Sequence, residues 1–120
     1  FLWESWLRVW TNNHAEAIKA FDACARRELR EEAGVSAKRW TKLGEIVLAP
    51  GLSDELMRVY LAEDLADDPL AGDEDERIEV RRIPLPEVRA MAKDGRLKDA
   101  KSLSMLYLAG RTPGERLEFP

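Results

Sequence analysis

The run Arg27-Glu28-Leu29-Arg30-Glu31-Glu32-Ala33-Gly34-Val35 places three carboxylates at i, i+3 and i+4, just ahead of a glycine. On a helix these positions are surface neighbours, and like charges there cost stability unless something offsets them. Arg27 can reach Glu31 four residues on, whereas no basic residue lies three or four positions from Glu28 or Glu32. A hard divalent cation such as Mg2+, which takes oxygen ligands, would compensate that pair. The competing reading is a solvated charged face that asks for no ligand.

A cluster of this kind needs a helix to align it and a core to hold the helix. With 120 residues, 45% hydrophobic and 35% charged, the chain reads as one globular domain able to bury a single core. The expected organisation is a domain over 1–110 followed by a loose tail over 111–120. A net charge of −4 without a basic stripe gives no reason to expect nucleic acid as a partner. The lone Cys24 cannot form an internal disulfide, which suits a reducing cytoplasm, and its neighbours place it in a helix. No apolar run is long enough to span a bilayer, so no membrane partner is expected. The opening FLWESWLRVW carries charges, unlike a signal peptide. A chain that starts at Phe1 is read as processed or as a segment of something longer.

The order of elements reads as mixed α/β. Phe1 to Trp10 fits a helix with Trp3, Trp6, Leu7 and Trp10 on one stripe, or a strand, and the pattern does not separate the two. Thr11-Asn12-Asn13 is a turn and N-cap signal, and His14 sits at the start of the helix that follows. That helix spans about 14–33, with Ile18, Phe21, Ala25 and Leu29 inward and Gly34 as its C-cap. Strand signals cover Trp40 to Leu48 and Arg77 to Ile83. Another covers Leu56 to Ala62, where Met57, Val59 and Leu61 alternate with Arg58 and Tyr60. Pro84 and Pro86 introduce a short helix through Lys93, closed by Gly95. Asp99 is the expected N-cap of a last helix, Ala100 to Ala109, closed by Gly110.

RELREEAGV resembles the second half of the Nudix box, Gly-x5-Glu-x7-Arg-Glu-U-x-Glu-Glu-x-Gly-U with U aliphatic, at every defined position from Arg27 to Val35. The first half departs from it: the family's glutamate falls on Lys19 and its opening glycine on Asn13. Two further segments point to the ADP-ribose pyrophosphatase branch. APGLSDE puts Pro50 sixteen positions beyond Gly34, and in that branch this loop contributes to substrate recognition. By composition alone it is a turn. The stretch from Glu63 to Glu79 holds nine carboxylates, ordinarily a solvated loop, yet DEDERIEV resembles the branch's acidic loop that contributes a glutamate to metal binding or water activation. DGRLKDAKSLSMLYLA resembles the family's closing segment, so the likeness runs from about Ala23 to Ala109.

The resemblance implies an α/β/α sandwich around a mixed sheet that is incomplete or completed by another subunit, because few residues precede Asn13. It implies a hydrolase of nucleoside diphosphate-linked compounds, ADP-ribose to AMP and ribose 5-phosphate first among them. Mg2+ or Mn2+ would sit on Glu28, Glu31 and Glu32, with Glu31 also a candidate catalytic group and Arg27 supporting it. Glu74 or Glu76 would take the proton from the attacking water. Pro50, Gly51, Ser53 and Glu55 would contact the substrate. The expected assembly is a cytoplasmic homodimer. The alternative is a Nudix-derived module that binds a ligand or partner without efficient turnover, which Asn13 and Lys19 favour.

Overall fold

The computed structural model describes residues 2–6, 22–71, 79–111 and 115–118. Asn13, His14, Ile18, Lys19, Phe21, Glu74 and Glu76 lie outside them. The described elements are strand β1 (Leu2–Trp6), helix α1, strands β2 (Val35–Val47) and β3 (Leu56–Asp67), helices α2 (Leu85–Asp94) and α3 (Ala100–Gly110), and strand β4 (Glu115–Leu117). Helix α1 is regular over 22–28 and widens into a π turn over Leu29–Ala33. The opening segment is thus a strand over Leu2–Trp6.

The four strands form one sheet in the order β1-β3-β2-β4, with every described pairing antiparallel. β3 lies at the centre, and α1 and α3 cover its opposite faces. Ala25 and Leu29 of α1 pack with Val35, Trp40, Tyr60 and Ala62. Leu108 of α3 packs with Leu43, Met57 and Val59. Alternate residues of a strand face opposite ways, so β3 sends Met57 and Val59 to one layer and Tyr60 and Ala62 to the other. The expected alternation is seen, and because both faces are covered its two rows are both buried: Arg58 is 7% exposed and Tyr60 is fully buried.

A β-bulge divides β2. Lys42 pairs with Tyr60 and Gly44 with Val59, which leaves Leu43 without a partner in the ladder. Side chains three apart in a regular strand point to opposite faces. Here the extra residue brings Lys42 and Glu45 to the same side, with Lys42 Nζ 2.9 Å from Glu45 Oε1. Helix α3 comes close to this point. A methyl group on Gly44 would meet Leu108 Cδ2 at 3.5 Å and Arg111 Nη2 at 3.2 Å, and Arg111 donates a long hydrogen bond of 3.4 Å to the Leu43 carbonyl.

Several boundaries shift from the sequence expectation. β2 begins at Val35 rather than Trp40, and β3 runs on to Asp67 because its polar end pairs with Val35, Ser36 and Ala37. The strand expected at Arg77 to Ile83 is not seen in its described part, 79–83, which forms no ladder among the described residues. Within the segment read as a loose tail, Glu115–Leu117 pairs with Lys42, Thr41 and Trp40. Helix α2 follows Pro84 and ends at Gly95, whose φ of 85° is left-handed, where glycine meets no Cβ penalty. Asp99 caps α3 as expected by accepting from the Ser102 amide at 2.8 Å. Gly110 is included in that helix, and Arg111 takes the C-cap position.

Candidate active site

The carboxylate-bearing helix is anchored at three places. Ala25 and Leu29, both fully buried, seat it on the sheet. At its described start, the Tyr60 hydroxyl donates to Asp22 Oδ1 at 2.7 Å. Burial, and after it the Asp22 carboxylate, push the Tyr60 hydroxyl well above its ordinary titration range. Trp40 meets Tyr60 edge-on, with ring centroids 6.1 Å apart. At the far end Gly34 adopts φ 70° and ψ 21°, and its amide donates to the Arg30 carbonyl at 3.1 Å. The same carbonyl accepts from Leu70 at 3.3 Å, while the Gly34 carbonyl accepts from Asp68 at 2.9 Å. The loop after β3 is therefore stitched to the end of α1.

Glu28, Glu31 and Glu32 are all half-buried on this helix end, and the π turn contains two of them. Such widened turns are frequent at functional sites. Arg27 Nε stands 3.6 Å from Glu31 Oε1, the i,i+4 pair expected from the spacing. Among the described residues no group of three histidine, cysteine or acidic side chains is gathered closely enough to cage an ion. Mg2+ does not need such a cage. It is commonly held by one or two carboxylates, with water and substrate phosphates completing its octahedron. Hard oxygen donors at Glu28 and Glu32 fit that mode of binding.

The other site residues are more scattered. Pro50 and Gly51 are exposed in a turn where Leu52 and Ser53 amides donate to the Ala49 carbonyl at 2.9 and 2.8 Å. The Ser53 hydroxyl accepts from the Glu55 amide at 3.1 Å, and Glu55 lies 3.7 Å from Lys101 Nζ of α3. Ser53 and Glu55 thus already have structural partners that hold the loop.

Sequence reasoning missed two polar groupings near α1. Arg58 Nη2 and Lys42 Nζ both lie 2.9 Å from Glu45 Oε1. The hydrogen bond from Lys42, more than the Arg58 charge, holds the Glu45 carboxyl below its usual range. Arg30 Nη2 bonds Asp68 Oδ1 at 3.0 Å, and its Nε donates to the Asp68 carbonyl at 3.3 Å. The partners in the Arg58–Glu45 and Arg30–Asp68 pairs are distant in sequence. The only local signal was a charged residue inside an otherwise apolar strand, at Arg58.

Comparison with known proteins places these features in a wider setting. A profile described as NUDIX domain matches residues 11–106. A GDP-mannose pyrophosphatase of Yersinia enterocolitica is 40% identical over 91 residues, covering 73% of this chain and 48% of the relative. An ADP-ribose pyrophosphatase of Bacillus subtilis is 38% identical over 80 residues, covering 65% of this chain and 43% of the relative. A crystal structure of an ADP compounds hydrolase superposes with a TM-score of 0.64 at 34% identity, over 71% of this chain and 46% of that one. The chain spans about half the length of the relatives it matches. Among the described residues no helix is long and apolar enough to cross a membrane.

Proposed function

Because this chain belongs to the Nudix family, we propose that it hydrolyses the diphosphate bond of nucleoside diphosphate-linked compounds, with ADP-ribose as the leading substrate and GDP-mannose as the runner-up. The observation that carries the reading is the RELREEAG helix end. Its carboxylates are half-buried on an anchored helix that is closed by a left-handed glycine.

In this reading Glu28 and Glu32 would hold Mg2+ or Mn2+, which would supply charge neutralisation at the substrate's diphosphate. Arg27 keeps Glu31 oriented beside that pair, a role suited to its 3.6 Å approach. A glutamate of the acidic loop, Glu74 or Glu76, accepts the proton from the attacking water. The turn at Pro50, Gly51, Ser53 and Glu55 borders the substrate. Cleavage of ADP-ribose then yields AMP and ribose 5-phosphate.

Release of AMP from ADP-ribose by the purified chain, with and without Mg2+, tests the proposal, with GDP-mannose as the parallel substrate. Glu32→Gln keeps size and helix propensity but removes a ligand charge. It should lose the Mg2+-dependent release while unfolding at the temperature of the parent. Equal turnover by this variant would move the metal site elsewhere. We further propose that the working unit is a homodimer, since the described sheet ends in two edge strands, β1 and β4, and unpaired edges favour association. Sedimentation equilibrium should return twice the 13.7 kDa of the chain, and a monomer mass at assay concentration would rule this out.

A further inference from the structure

Between Glu28 and Glu32 the Nudix box leaves one position open, and this chain fills it with Arg30. The residue belongs to the π turn that carries Glu31 and Glu32, yet its side chain bonds outside the helix. It does so at the wall of a cavity of about 300 Å3 that the arginine flank of α1 shares with Ser36, Trp40 and Asp68.

Four hydrogen bonds join the turn to the segment that leaves β3. Two run between backbones, from the Asp68 amide to the Gly34 carbonyl and from the Leu70 amide to the Arg30 carbonyl. The other two come from the Arg30 guanidinium, through Nη2 to Asp68 Oδ1 at 3.0 Å and through Nε to the Asp68 carbonyl at 3.3 Å. Three of the four thus pass through Arg30. Pro69 lies against the same end, where a Cβ on Gly34 would stand 3.9 Å from its side chain. The carbonyls of a helix end lack partners within the helix, and a π turn is a rare form of one. Here the partners come from beyond β3, and Arg30 supplies the ties from side chain and backbone together.

We propose that Arg30 is a positioning residue for the cation site: held by Asp68, it fixes the π turn that carries Glu32 and so sets the site's affinity for a divalent cation. The inference rests on the reading of Glu28 and Glu32 as the cation's ligands. Charge and position predict opposite outcomes for this residue. As a charge, an arginine two positions from each ligand repels a metal ion, so removing it should tighten binding. As a clamp, its removal should loosen binding, because the groups that support a metal's ligands tune its affinity. The ion pair is part-exposed, with side chains 36% and 42% accessible, so solvent screening keeps the effect modest.

The test is Mn2+ binding by the full chain without nucleotide, read from the electron paramagnetic resonance signal of the free ion. Arg30→Met, Asp68→Ala and the double variant should each bind Mn2+ about fivefold more weakly than the parent, a factor worth about 1 kcal/mol. The three losses should be alike, because each variant removes the same contact. A charge effect alone would give tighter binding in Arg30→Met, weaker binding in Asp68→Ala and parental binding in the double variant. Tyr60→Phe, which releases α1 at its other described end, should lower Tm and leave Mn2+ affinity unchanged. Unchanged or tighter binding by Arg30→Met, parental binding by the double variant, or an equal loss in Tyr60→Phe would each overturn the proposal. Glu32→Gln separates this role from the reading beneath it. If that variant weakens Mn2+ binding while Arg30→Met does not, only the positioning role fails. If it binds Mn2+ like the parent, the cation site lies elsewhere and both fail.

Discussion

Replacing Tyr60 with Phe isolates one of the contacts that fix the carboxylate-bearing helix on the sheet. The ring stays, so the fully buried site keeps its packing, and only the 2.7 Å bond to Asp22 is removed. A hydrogen bond to an ionised partner contributes about 1.5–3 kcal/mol. Asp22 is half-buried, so its carboxylate regains water in the variant and the loss falls near the lower end, about 1.5 kcal/mol. For a domain of this size that lowers Tm by roughly 5 °C. Urea unfolding followed by tryptophan fluorescence, together with calorimetry, measures both quantities.

The alkaline limb supplies a second, independent reading. Folded Tyr60 keeps its proton above the ordinary value of 10.0, while the unfolded chain releases it near that value. The native state therefore binds more protons above pH 10, and stability falls as pH rises there. The contribution is complete below about pH 10 and is lost above it at up to about 1.4 kcal/mol per pH unit. The Phe variant lacks this component and should show a shallower alkaline decline. If it matched the parent both in stability at neutral pH and in alkaline slope, the Tyr60 hydroxyl would not be bonded to a carboxylate, and the anchoring of α1 through Asp22 would be refuted.

Two other substitutions probe the same region. Arg58→Ala should cost about 2 kcal/mol in urea unfolding, because it removes buried side-chain packing while Glu45, partly exposed, keeps its bond to Lys42, whereas Arg58→Met should be neutral or stabilising by about 1 kcal/mol. An equal cost for both would show that the guanidinium's bonds, and not its volume, hold the strand. Gly34→Ala forces a Cβ into left-handed backbone and should cost about 1–2 kcal/mol, read as a lower urea midpoint with an unchanged slope.

Local rules captured what local physics decides. Ala25 and Leu29 follow helical spacing and are fully buried, and Gly34, Gly95 and Asp99 end or begin helices where their backbone or side-chain chemistry predicts. The type of Leu2–Trp6 stayed open because strand and helix patterns overlap in so short an apolar run, and pairing with Leu61 through Met57 decides it. In β3 the sequence shows Met57, Val59 and Leu61 alternating with Arg58 and Tyr60. Alternation gives parity, but the number of faces covered depends on helices that are remote in sequence. The Tyr60–Asp22 and Arg30–Asp68 contacts join residues 38 positions apart, beyond the reach of any periodicity. The carboxylates of the candidate site were legible because three fall within one helix turn. Its arginine flank was not, since Ser36, Trp40 and Asp68 join it only after the sheet has formed.

The unpaired Leu43 shares a face with Gly44, both turned toward Leu108 of α3, so it adds a residue to β2 without adding a step to the ladder. Deleting Leu43 would leave Lys42 and Glu45 two apart in a regular strand, still on one side, with Gly44, Glu45 and Ile46 still opposite Val59, Arg58 and Met57. The loss would be Leu43's own place in the apolar layer and the local twist of the bulge. A deletion elsewhere in β2 has no such outlet and reverses inside and outside for the residues beyond it. The bulge is thus the one place in this strand where the count of residues can fall by one while every later residue keeps its face, and a gap aligned there is a different structural claim from a gap aligned two residues away.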